Sequence, residues 1–138
     1  MTLTLQEART IIEAGLARAR ELNQRVVIAV VDEAGHLVSL DRMDGAPLHR
    51  DRFALGKAFG AVLLRQPTAE ASKLRETAPD RYFGILSMFP EQIYLLSGGV
   101  PLEADGRIVG AVGVAGGAAG MDEPIAEAGI AAWRRQRG

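Results

Sequence analysis

Two spacings of apolar residues run along this chain, one helical and one strand-like, and the places where they exchange lay out its elements. Leu5, Ala8, Ile12, Leu16 and Ala19 recur at helical spacing behind a capping box made by Thr4 and Glu7, which predicts a helix over about 4–23. Next comes VVIAVVD, residues 26–32, a β-branched run too apolar for a strand with one wet face. Glu33-Ala34-Gly35 turns the chain and HLVSLDRM returns, so residues 26–43 read as a hairpin, closed by Asp44-Gly45-Ala46-Pro47. A second helix is predicted over 49–65, with Phe53, Gly56, Gly60 and Leu64 on one side. Pro67-Thr68 opens a third, which stops before Pro79. Residues 80–97 hold Tyr82, Phe83, Phe89 and Tyr94 without a clear period and are assigned an optional strand. SGGVPLE and RIVGAVGVAG flank Ala104-Asp105-Gly106, a hairpin signal because Asp-Gly accepts positive φ. Asp122 caps a last helix running to about Arg135, with Glu123 in its first turn. The order α-ββ-αα-(β)-ββ-α describes one α+β domain over residues 1–138, built on an antiparallel sheet.

The segment VGAVGVAGGAAG, residues 109–120, invites a phosphate-loop reading, and the spacing refuses it. The dinucleotide fingerprint G-x-G-x-x-G is absent: the nearest match begins with Ala115, followed by Gly117 and Gly120. Only helix follows, where a further strand with an acidic residue is needed. Gly56-Lys57 fails as a P-loop, because Asp51 stands where the first glycine belongs. The glycines are architectural first. Gly110 and Gly113 lie in a strand at an odd separation and face opposite sides, one open to a packed helix and the other to a ligand or a neighbouring subunit. Together with Gly116 and Gly117 they make a small-residue surface. With the apolar residues of 82–100, that surface predicts a homo-oligomer built from dimers.

Composition narrows the partners. Sixteen basic and seventeen acidic side chains leave a net charge of −1, which gives no electrostatic case for nucleic acid or an anionic membrane. There is no cysteine, so disulfides, thiolate metal sites and a cysteine nucleophile are excluded. No apolar run reaches the roughly 20 residues of a membrane span. TLTLQEA lacks the basic and apolar regions of a signal peptide, and a cytoplasmic location is expected. His36 and His49 stand thirteen residues apart without a recognised carboxylate spacing, and no metal site is expected.

VVIAVVDEAGHLVSLDRMDGAP, ALGKAFGAV, SGGVPLEADGRIVGAVGVAGG and DEPIAEAG, in that order, resemble the GlcG/HbpS family, from Leu5 to Trp133. That family includes the haem-binding HbpS proteins and the C-terminal domain of PduO-type corrinoid proteins. The resemblance implies a profilin-like antiparallel sheet flanked by helices, and a homo-oligomer, often a dimer-based octamer. It also implies haem or a related tetrapyrrole as ligand. The chain departs from the pattern in two places. Ala115-Gly116 replaces a serine-glycine pair, and the first helix has no histidine for the haem ligation seen in some relatives.

Arg42-Met43-Asp44-Gly45 is the most distinctive polar cluster. Arg42 suits a bidentate clamp on a carboxylate or propionate, or an internal salt bridge closing the hairpin; Asp44 suits an orienting group or base. Met43 offers a thioether to iron, or packing. His49 opens a helix near Asp44 and Asp51, and Lys57 lies on a helix face with Phe53, Ala54 and Gly60. The expected pocket joins Arg42, Met43, Asp44 and Lys57 with backbone from Gly98, Gly99, Gly113, Gly116 and Gly117. Three functions stay open. One is a haem or tetrapyrrole binder with its ligand between subunits. The second is a cofactor-free isomerase, hydratase or decarboxylase acting on a small anionic metabolite through Asp44, His49 or Lys57. The third is an oligomeric accessory protein without a small ligand.

Overall fold

Four antiparallel strands, β1 (Val27–Asp32), β2 (Leu37–Arg42), β3 (Gly99–Ala104) and β4 (Arg107–Ala115), form one sheet in the order β2-β1-β4-β3, with helices on both faces. The computed structural model describes residues 2–138. Helix α1 (Leu5–Glu21) starts where its capping box closes: Glu7 N donates to Thr4 Oγ1 at 3.0 Å, and Thr4 N to Glu7 Oε1 at 3.1 Å. Strands β1 and β2 make the first hairpin. Asp32 Oδ1 holds its turn by accepting from Ala34 N and His36 N. Strands β3 and β4 make the second, and Asp105 and Gly106 both take positive φ (51° and 78°) in the two-residue turn between them.

Strand alternation assigns the two faces. Ile28, Val30, Val112 and Val114 join Ile11, Ile12, Ile125 and Trp133 in the main core, under α1 and the C-terminal helix α6 (Asp122–Arg137). Val27, Ala29, Ala111 and Ala115 point the other way, toward α2 (Arg50–Leu64). That second interface is built from small side chains. Ala54, Ala58 and Ala61 repeat at helical spacing, and Gly113 faces them so closely that a Cβ there would overlap the Ala54 carbonyl oxygen. Gly110 is closed from the opposite side by Val31 and Leu3. Both glycines therefore lie inside the chain. At these two positions the expected small-residue surface and the opening for a ligand are filled by the protein's own atoms.

The third predicted helix divides into α3 (Thr68–Ala71) and α4 (Leu74–Thr77). The optional strand within 80–97 is a helix, α5 (Pro79–Met88), begun by Pro79 in its first turn, where a missing N–H costs nothing. None of its residues is buried, and Phe83 and Met88 are 57% and 75% exposed. No helix among the described residues is long and apolar enough to cross a membrane.

Candidate functional site

The residues singled out from the sequence gather at one end of the sheet, where β2 and β4 finish and β1 and β3 begin, but in two pockets that share no lining residue. Arg42, Met43 and Asp44 line a cleft of about 630 Å³ between β2 and the C-terminal half of α1. Leu16 and Leu40 give it apolar walls. Arg20, Arg25 and Arg42 stand against Asp41 and Asp44, so the cleft carries one excess positive charge. Arg25 Nη1 donates to the Asp44 carbonyl at 3.0 Å, which pins the rim, while the Met43 thioether accepts the Val26 N–H at 3.3 Å. Arg42 is exposed and forms no ion pair among the described residues, so the hairpin-closing salt bridge has no partner here.

Lys57 lines a different pocket from this cleft. It is 4% exposed. Its ammonium donates to the Val114 carbonyl at 2.8 Å and to Asp122 Oδ2 at 3.0 Å. Burial pushes the Lys57 pKa down, Asp122 pushes it back up and Arg50 adds to the lowering, so the ammonium ends below its ordinary value. The other Asp122 oxygen accepts the Gly117 N–H at 2.8 Å. Asp122 therefore braces a lysine and a loop; no side-chain bond caps α6. Gly98, at φ +130°, lies 3.0 Å from the Lys57 ammonium measured from the Cβ it lacks, and a larger residue would displace that ion. Gly99 passes over the Lys57 carbonyl, and Gly116 packs beneath Pro47. A cavity of about 190 Å³ remains here, walled by Arg50, Phe53, Tyr94 and Leu96. The Phe53 and Tyr94 rings stack at 4.7 Å and 16°.

The two groups thus form separate sites. His49 lines neither: it is exposed at the start of α2 with a left-handed φ of 64°, and its side chain makes no capping bond. His36 is 81% exposed in its side chain and lies 3.8 Å from Asp32. No cluster of His, Asp or Glu suited to a metal ion occurs among the described residues. Two amides of the glycine-rich loop are already bonded within the chain, Ala118 N to Gln24 Oε1 and Gly117 N to Asp122. Sequence reading missed Asp122 and Arg50 as neighbours of Lys57. The available signal was a lysine on the same helix face as Ala54, Ala58 and Ala61, a setting in which a cation requires a partner.

Residues 3–131 match the family described as haem degrading protein HbpS-like. Protein GlcG of Escherichia coli K12 is 36% identical over 81% of this chain and 80% of its own length. An uncharacterized 15.0 kDa protein of Citrobacter freundii is 36% identical over 91% of this chain and 88% of its own. The corrinoid adenosyltransferase PduO of the same organism is 33% identical over 96% of this chain, a stretch that spans only 39% of PduO. Among solved structures, Klebsiella pneumoniae protein ORFY superposes with a TM-score of 0.90 at 30% identity, covering 97% of this chain and 92% of that one. A PduOC:heme complex superposes at 0.87 and 30% identity, covering 96% and 95%. HbpS superposes at 0.85 and 36% identity, covering 95% and 89%. The chain belongs to the GlcG/HbpS family.

Proposed function

We propose that this protein binds haem or a related tetrapyrrole in the arginine-lined cleft. The cleft's size and charge carry the proposal. Its volume of about 630 Å³ lies within the roughly 300–1,000 Å³ of small-molecule sites, while the Lys57 cavity, at about 190 Å³, is too small for a macrocycle. Arg20, Arg25 and Arg42 would hold the ring's propionates through charge-assisted, bidentate bonds, and Leu16 and Leu40 would face its apolar edge. Among the lining residues Met43 would offer a soft donor to iron, and its sulfur would have to give up the Val26 N–H to do so. No imidazole lines the cleft. Bound haem would supply redox and ligand-binding chemistry, and the protein's part is to hold and orient it. The haem complex of the PduO relative and the HbpS-like membership favour this ligand over other anions of similar size.

The cleft's arginines are exposed, and a second copy of the chain would close it over the ligand. A homo-oligomer built from dimers, up to an octamer, also gives α5 a partner. Leu63, Leu64, Ile85, Met88 and Phe89 border an open, mostly apolar depression that the rest of the chain leaves uncovered. Haem titration of the purified protein tests the ligand. A saturable Soret band at low micromolar protein agrees with the proposal, and an unperturbed free-haem spectrum removes it.

A further inference from the structure

The Lys57 cavity has its own chemistry, independent of the haem proposal. Its volume of about 190 Å³ corresponds to about six water-sized groups. Its charges do not cancel: Arg50 and Lys57 face the single carboxylate of Asp122, which leaves one positive charge uncompensated. The ammonium of Lys57 has three hydrogens, and two are directed to Val114 and Asp122. Arg50 gives one N–H to the Leu48 carbonyl at 3.1 Å, and its guanidinium carbon lies 5.2 Å from the Phe53 ring centre. Lys57 lies 5.9 Å from the centre of Tyr94. Each cation is therefore fixed beside one member of a stacked aromatic pair, with donors to spare and a solvent-poor wall behind. Both cations line this cavity and Arg50 disfavours the charged form of Lys57, so an anion entering the cavity would offset their repulsion.

We infer that this cavity is a second binding site, taking a small monocarboxylate whose carboxylate meets Arg50 and Lys57 and whose short apolar chain lies against Phe53 and Tyr94. One negative charge matches the excess. A phosphate or a dicarboxylate would bring a further negative charge beside Asp122, with no cation left for it. Leu96 extends the apolar wall at the mouth, so added methylenes stay out of water.

The probes are acetate, propionate and butyrate, with inorganic phosphate as the comparison. Each is added at about 10 mM to the full chain, and binding is read from melting temperature and from saturation-transfer NMR. Affinity rises about fourfold per methylene from acetate to butyrate, and phosphate gives no response. Arg50→Gln keeps the Lys57–Asp122 pair and weakens butyrate about tenfold, while Arg42→Ala leaves it unchanged. If Arg50→Gln alters the fold of the free protein, Tyr94→Leu replaces it, and the gain from acetate to butyrate then shrinks. The inference fails if no probe binds, if binding survives Arg50→Gln or Tyr94→Leu undiminished, or if butyrate displaces haem from the cleft. Failure of haem to bind leaves the carboxylate result standing, so the two proposals are separable.

Discussion

Lys57 and Asp122 join helices that lie on opposite faces of the sheet. Their 3.0 Å contact runs past the end of β4, between α2 and the first residue of α6, and it is nearly dry, with side-chain exposures of 5% and 13%. A dry ion pair gives little net stability as a whole, yet losing one partner strands the other. Asp122→Asn keeps the shape and the Gly117 bond but removes the counter-charge, at an expected cost of about 3–5 kcal/mol. Adding Lys57→Met to that variant should recover part of the loss, which urea denaturation of the four proteins in the cycle will measure. The pH dependence has a defined sign. Because the Lys57 pKa is held below 10.5 in the fold, the unfolded chain binds more protons between that lower value and 10.5. This group's contribution to stability therefore rises with pH across that window.

Glu7 provides a second titration on the far side of the molecule. Beyond the cap, its Oε2 accepts from Trp133 Nε1 and Arg137 Nη1, both at 2.7 Å, which ties α1 to α6. Burial raises its pKa, but the bonds from Trp133, Thr4 and Arg137 outweigh that and hold it below 4.5. Stability from this group is fully present above 4.5 and is lost as pH falls through the lower folded value. Glu7→Gln is expected to cost about 1.5–3 kcal/mol near neutrality. It should also show a shallower loss on acidification, since the titrating group is gone. An unchanged acid slope in denaturation curves would show that other carboxylates dominate.

Oligomer formation should depend on α5. Size exclusion with light scattering is expected to give a mass well above 14.7 kDa for the wild type. Phe83→Glu with Met88→Glu should shift the mass toward the monomer without unfolding it, because neither side chain is buried within its own chain. A wild-type monomer at tens of micromolar contradicts the assembly.

Local signals were legible in the sequence, and distant pairings were not. The capping box at Thr4–Glu7 and the Asp105-Gly106 turn are decided within a few residues, and both elements form where they are read. Residues 79–88 resisted assignment because their apolar side chains serve no buried face of this chain. The ten residues of α5 make fewer than three turns, too short a run for a helical period to stand out. Arg42 and Lys57 looked like parts of one pocket because both belong to the same end of the sheet. Their separation runs along the width of the sheet, with Arg42 on edge strand β2 and Lys57 bonded to β4, and no local pattern states that strand order. The Lys57–Asp122 pair spans 65 positions and shows in sequence only as a lysine among alanines. Gly113 was legible as a close approach, whereas the identity of the approaching helix required the fold.

The cleft is tested most directly by haem affinity with and without its arginines, followed through the Soret band under conditions where the oligomer is intact. Losing one charge-assisted contact to a propionate typically costs about 1.5–3 kcal/mol, which is tenfold or more in affinity. Arg42→Ala is expected to weaken haem by that factor, and Arg20→Ala with Arg42→Ala by more, while Lys57→Met leaves it unchanged. Undiminished binding by the double variant, or no binding by the wild type at low micromolar concentration, would contradict a tetrapyrrole in this cleft.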